Sequence, residues 1–212
     1  PSIAGQLVPI CAYVTMAIAL NLVVGFSGEL SLGHAGFMSV GAFSGIVASM
    51  SLQQAIPNGA ARLAIAMVVG AVFAGIAGVI VGVPVLRLQG DYLAIVTLAF
   101  GEIIKNIFNI LYVGVDAKGL HFSITNEADL HLEEGGVSIL QGPMGATANV
   151  KLATFTAGTI LVLITLFIVI NLVNSRAGRA IMAMRDNRIA AESVGISATK
   201  YKLMAFVTSA VL

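Results

Sequence analysis

Long runs without charge decide what this chain can become. Ile3 to Gly28 carries no charged side chain, and Leu30 to Ala61 carries none apart from His34. Leu63 to Leu86 and Leu152 to Val173 are also free of charge. A bilayer core about 30 Å thick is crossed by about 20 helical residues, so each run is long enough to span it. Tyr92 to Val113 is long enough too, but holds Glu102 and Lys105. Leu203 to Leu212 reads as the first half of a further span. None of these runs alternates apolar and polar residues as barrel strands do. The expected fold is an all-α, polytopic transmembrane helix bundle forming one membrane domain over residues 1–212. Its spans are placed at Leu7–Val24, Gly33–Met50, Leu63–Leu86, Tyr92–Val113 and Leu152–Val173, with the start of a sixth. Pro1 opens the chain and Leu212 closes it inside an apolar run, so a piece of a longer protein is expected.

Composition agrees. Charged residues are 10% of the 212, against about 25% in a soluble domain, and 58% belong to the apolar and aromatic set. This excludes a disordered chain and argues against a cytosolic enzyme or a nucleic-acid binder. The net charge of +1 names no polyanionic partner, so lipid is the expected surround. The single cysteine, Cys11, builds neither a disulfide framework nor a metal site.

The loops set the orientation. Residues 114–150 hold Asp116, Glu127, Asp129, Glu133 and Glu134 against Lys118 alone. Residues 174–202 hold Arg176, Arg179, Arg185, Arg188, Lys200 and Lys202 against Asp186 and Glu192. One span separates the two segments, so they face opposite sides. The positive-inside rule puts 174–202 in the cytoplasm and 114–150 outside. A loop of that length is expected to carry structure of its own, with short strands at His121–Thr125 and Val137–Leu140.

Glycine marks two regions. Gly70, Ala74, Gly78 and Gly82 recur every fourth residue, a small-residue stripe suited to close helix packing. Gly25, Gly28, Gly33, Gly36, Gly41 and Gly45 crowd a second stretch around Glu29 and His34. Glycine weakens helices, so a broken or re-entrant helix is expected there, lining a cavity or buried in protein. Gly90-Asp91 and Gly101-Glu102 suggest a second break. The candidate translocation path takes its polar residues from these regions: Asn21, His34, Thr97, Glu102 and Asn106. Glu102 and Lys105, three apart, share a helix face and either line a path or pair to fix packing.

No catalytic motif stands out. No lysine is followed by Ser or Thr, so the chain has no P-loop, and His34, His121 and His131 do not cluster. No catalytic residue and no metal ligand is assigned. Within 174–202, Ser175 suits a helix start, Arg179–Val194 contains no Gly or Pro, and Gly195 suits a C-cap. A short amphipathic helix or a solvated basic loop both fit.

Three segments carry a family resemblance. Gly178-Arg179-Ala180 through Met184-Arg185-Asp186, then Ala190-Ala191-Glu192-Ser193-Val194-Gly195, resembles the cytoplasmic coupling loop of ABC importer permeases. Asn21-Leu22-Val23-Val24-Gly25 through Leu30-Ser31-Leu32-Gly33-His34-Ala35-Gly36-Phe37 resembles the N-terminal Gly-rich segment of the branched-chain amino acid permeases. Gly90-Asp91-Tyr92-Leu93-Ala94-Ile95-Val96-Thr97-Leu98 through Phe100-Gly101-Glu102-Ile103 looks like their second-subunit, LivM-like subfamily. The chain departs from the broader importer motif at Ile189, where that motif has Glu, and in lacking its Leu-Pro near Phe206.

The resemblance implies an importer in the bacterial cytoplasmic (inner) membrane. A second permease subunit would complete the path. Two cytoplasmic ATP-binding subunits would hold ATP and Mg, with no cofactor in this chain. An extracytoplasmic binding protein would deliver Leu, Ile, Val or a related small zwitterion or amide. Arg185, Asp186, Arg188, Ile189, Ala190, Ala191, Glu192 and Gly195 would form the ATPase coupling site, with Ile189 as anchor and Arg185 and Arg188 at the rim. The competing readings are an ion- or proton-coupled secondary transporter using Glu102, and a membrane scaffold without transport.

Overall fold

The computed structural model describes residues 3–53, 55–86, 88, 91–116, 119–124, 130, 136–146 and 152–212, without the side chains of 3–5 and 91. Helix α1, Ile3–Asn21, passes into a π turn at Leu22–Phe26. After an irregular stretch come α2 (His34–Ser51), α3 (Gly59–Val85) and α4 (Asp91–Ile110). Three strands follow: β1 (Tyr112–Asp116), β2 (Gly119–Ser123) and β3 (Val137–Gln141). The chain ends with α5 (Phe155–Asn174), α6 (Arg176–Asp186), α7 (Arg188–Ser193) and α8 (Ala198–Val211).

Among the described residues, four stretches are long and apolar enough to cross a membrane: Gln6–Phe26, Gly59–Val85, Tyr92–Ile110 and Phe155–Asn174. The expected span Gly33–Met50 is α2, an unbroken helix of 18 residues that is not among these four. His34 and several serines lower its hydropathy. Ser39, Ser44 and Ser51 each donate to the carbonyl one turn back (2.9, 2.6 and 2.8 Å), which satisfies their hydroxyls within the helix. Helix α8 corresponds to the start of the sixth span.

Two expectations change, the end of the fourth span and its break, while the expected strands are realised. The span drawn to Val113 stops at Ile110, because Tyr112 and Val113 enter β1. The bundle is all-α, but the polar loop adds a small antiparallel sheet of order β2-β1-β3. Tyr112 pairs with Ser123 and Gln141, and the β1–β3 register shifts between Val113 and Gly114. Of the two expected strands, His121–Thr125 is realised as β2 (Thr125 lies outside the described residues) and Val137–Leu140 as β3. The proposed break at Gly101-Glu102 is absent, since α4 runs through both residues; Gly90 lies outside the described residues.

The sheet buries Val113, Ile139 and Leu140 against Phe43, Ile46, Val47 and Met50 in the C-terminal half of α2. A second core sits toward the N-terminal end of α2, where Val23, Phe37, Val81, Val85, Leu86, Leu93, Phe206 and Ala210 meet. The apolar residues left outside, such as Val72, Ile76 and Ile80 on α3 and Ile160, Leu163 and Phe167 on α5, are those a lipid-facing surface needs.

The small-residue stripe on α3 serves two partners. A Cβ on Gly70 would lie 2.6 Å from the Gly41 carbonyl oxygen of α2. Farther along, Cβ atoms on Gly78 and Gly82 would lie 2.8 Å from the Ala210 Cβ and 2.9 Å from a Leu203 methyl of α8. Ala74 is buried between these contacts. Lipid supplies no hydrophobic drive for helices to associate, so this backbone proximity and its dispersion must hold them together.

Gly70→Ala forces the α2 and α3 backbones apart. It should lower stability by about 1–3 kcal/mol, seen as a lower thermal midpoint in detergent. Gly101→Ala, whose added methyl meets only ordinary contacts at 3.5 Å or more, should leave the midpoint unchanged or raise it.

Candidate functional site

The expected break between Gly25 and Gly45 is confined to residues 22–33, and α2 continues through Gly36, Gly41 and Gly45. Within the break the backbone ladder widens before it ends. Ser27 N–H reaches the Leu22 carbonyl and Glu29 N–H the Val23 carbonyl, both at 3.2 Å. Gly28 then takes φ +70°, a left-handed conformation that side chains disfavour. At the far end of the break, a Cβ on Gly33 would lie 2.2 Å from the Thr97 carbonyl oxygen, so only glycine lets the segment meet α4 this closely.

Side chains from other elements take over where the helix gives out. Thr97, 1% exposed on α4, accepts from Leu32 N–H at 3.1 Å and donates to the Ala94 carbonyl at 2.9 Å. His34 starts α2 and is buried. Its Nε2 lies 2.6 Å from Ser209 Oγ of α8, and its Nδ1 lies 3.3 Å from Ser31 Oγ. Ser209 gives its own proton to the Ala19 carbonyl of α1. This assigns Nε2–H as donor to Ser209 and Nδ1 as acceptor from Ser31, the neutral tautomer. The ring also meets Phe37 and Phe206 edge-on, with centroids 5.7 and 6.1 Å away.

The basic segment reaches the same stretch. Arg185 on α6 donates from Nη1 to the Gly25 carbonyl at 2.7 Å, and its Cγ would lie 2.6 Å from a Cβ on Gly28. Lys202 on α8 pairs with Glu29, and both side chains are nearly enclosed (13% and 12% exposed). Sequence reading had counted these two charges separately. No local pattern links positions so far apart in the chain.

The basic segment is an elbow and not a single helix. Ser175 Oγ caps α6 by accepting from Gly178 N–H at 3.1 Å, as expected. The helix-competent run Arg179–Val194 breaks at Asn187, whose extended backbone (φ −154°) separates α6 from α7. Its side chain then caps α7, accepting from Ala190 N–H at 3.0 Å. Gly195 closes α7 at φ +86°, and Ile196 N–H reaches back to the Ala191 carbonyl at 3.1 Å, as in a glycine C-cap.

The residues expected to form the coupling site divide by burial. Ala191 faces inward and packs with Met184 and Ala198, joining α6, α7 and α8. Asp186, Ala190, Glu192 and Gly195 are exposed, and Arg188 holds Glu192 at 2.9 Å along α7. Ile189, at the start of α7, is 81% exposed, and Val194, its C-cap residue, is 75% exposed. A capped six-residue helix thus holds out a large apolar side chain at each end, among charged neighbours.

The path candidates do not converge. His34 and Thr97 are buried and hold the broken segment in place. Asn21 is exposed at the start of the π turn, with its Oδ1 covering the Gly25 Cα. Glu102 and Asn106 lie on the outer face of α4, and Lys105 holds Glu102 at 3.2 Å with both side chains more than half exposed. Among the described residues no three His, Cys, Asp or Glu side chains group as a metal site.

Thr97→Val removes the hydroxyl that serves Leu32 N–H while keeping the shape. It should cost about 1–3 kcal/mol and speed amide exchange at residues 29–33. Unchanged exchange there would contradict the anchoring role.

Comparison with known proteins follows the same lines. The family described as "Branched-chain amino acid transport system / permease component" matches residues 2–212. The chain is 34% identical over 217 residues to the "High-affinity branched-chain amino acid transport system permease protein LivM" of Escherichia coli (strain K12), covering 93% of this chain and 47% of that protein. It is 34% identical over 214 residues to the protein of the same name from Salmonella typhimurium, with the same coverage of each. The chain thus spans about half the length of the curated relatives it matches. No solved structure matches. With its apolar spanning helices, this multi-pass membrane protein belongs to the family of branched-chain amino acid transport system permease components.

Proposed function

We propose that the chain is the second permease subunit of an ATP-driven importer, moving Leu, Ile, Val or a related small zwitterion or amide across the bacterial cytoplasmic membrane. The observation that carries this reading is the pair of exposed apolar side chains on the elbow. Ile189 and Val194 stand out at the two ends of a capped helix, among Arg185, Asp186, Arg188 and Glu192. Exposed apolar side chains on rigid backbone, among charges, suit insertion into a groove on a soluble partner. The partners in this reading are a second permease subunit, two cytoplasmic subunits that bind ATP and Mg and hydrolyse the nucleotide, and an extracytoplasmic binding protein.

The joints of the elbow suit force transmission. Helix α5 runs into α6 through Ser175 alone, and Ala191 ties α7 to α8. A push on α7 is thereby passed to two membrane helices as a rigid-body motion. The outer face of α4 supports a role in the path. Glu102, Lys105, Asn106 and Asn109 all lie exposed on that helix. Polar groups at membrane depth need water or protein against them, which a path shared with the second permease subunit would supply. In this reading Glu102 receives the substrate ammonium group, and Asn21, exposed on the first helix, is a separate polar contact for the substrate. Segment 114–150, with its sheet, faces the binding protein, and 174–202 faces the ATPases.

The test reconstitutes the full-length protein with its partner permease and ATPases in nanodiscs. ATP hydrolysis should rise when leucine-loaded binding protein is added. Ile189→Asp or Val194→Asp should weaken ATPase association by about 2 kcal/mol, the size of an interface hot spot, with unchanged membrane levels. Uptake that follows the proton gradient and ignores ATP would contradict the reading.

A further inference from the structure

The broken stretch and the elbow meet at two points that neither the family relationship nor the proposed docking explains. One is the hydrogen bond from Arg185 to the Gly25 carbonyl. This carbonyl sits in the last turn before the helix stops at Phe26, where the ladder no longer supplies a donor. A cation there also faces the negative end of the helix dipole. The other is the Glu29–Lys202 ion pair, enclosed on both sides and spanning from the irregular stretch to α8.

The two contacts fall within the break, at Gly25 and Glu29. Arg185 belongs to α6 and Lys202 to α8, the two arms that join at Ala191. Their targets, Gly25 and Glu29, flank Gly28, the one left-handed residue of the break. Separating the pair would strand an enclosed charge, so the clasp resists opening far more than an exposed ion pair would. Gly28, lacking a side chain, lets the Arg185 stem lie directly against the backbone between the clasped points. Motion of the elbow must then either carry residues 25–29 along or break both contacts.

We propose that Glu29–Lys202 and Arg185–Gly25 act as a two-point clasp that transmits motion of the basic elbow to the broken segment 22–33, making Glu29 and Lys202 positioning residues for energy coupling. This rests on the importer reading above. It adds that the moved element is the unwound end of the first helix, in addition to the helices continuous with the elbow.

The ion pair can be tested by charge exchange, which the Arg185 contact to a backbone carbonyl does not permit. In the reconstituted transporter, Glu29→Gln and Lys202→Gln should retain bound ATPases and basal hydrolysis. The leucine imported per ATP hydrolysed should fall about tenfold, within the usual range of a coupling free energy. The exchanged double variant Glu29→Lys/Lys202→Glu should recover most of it. A transport-to-hydrolysis ratio equal to wild type in either single variant overturns the clasp. Spin labels at Leu30 and Lys200 in a cysteine-free background give a second reading that does not depend on how those variants fold. A single distance kept between nucleotide-free and ATP-bound states supports the clasp, and a distance that changes between them overturns it. Failure of the importer reading would appear in the wild type, as absent ligand stimulation. Failure of the clasp appears only in these ratios and distances.

Discussion

A helix that unwinds against its neighbours leaves amides and carbonyls that its own hydrogen-bond ladder no longer serves. Everything around residues 22–33 follows from that constraint. Three polar groups there are met from other elements: Leu32 N–H by Thr97, the Gly25 carbonyl by Arg185, and the Glu29 carboxylate by Lys202. His34 and Ser209 bind the start of α2 to α8 and, through the Ala19 carbonyl, to the end of α1. The break is therefore held by four separate elements. Its conformation depends on their relative positions, which is the property a moving part needs.

This arrangement divides labour among the polar residues. His34 and Thr97 lie inside the chain and act on the backbone of the break. Glu102 and Asn106 lie on the outside of α4, where a partner subunit or the path can reach them. Ile189 and Val194 stand free at the opposite end of the bundle from the sheet. Anchoring, the proposed path and the proposed docking thus use different residues, joined mechanically by α6, α8 and the clasp.

Much of this was legible in the sequence because it depends on local pattern. Uncharged length located the helices. The four-residue glycine spacing on α3 located a packing face. Ser175 and Gly195 acted as the caps their types suggest. What sequence reading missed has non-local causes. Asn187 split the elbow because its side chain could serve as a cap, a choice that helix propensity alone does not decide. Tyr112 joined a strand because β3 and β2 offered partners far along the chain. Glycines at 36 and 45 did not break α2, because an added Cβ would press at 3.1 Å on Ile104 of α4 and on the Ala66 carbonyl of α3, so packing rewards their lack of side chain. The Glu29–Lys202 pair could not be inferred from spacing at all.

The central claim is that the unwound stretch of the first helix is the element the elbow moves. Hydrogen–deuterium exchange on the assembled transporter, with and without ATP, tests it most directly. The account predicts that amides at residues 27–33 change protection on ATP binding together with those of α6 and α7. Exchange that changes across α6 and α7 while residues 27–33 stay as protected as before would contradict it.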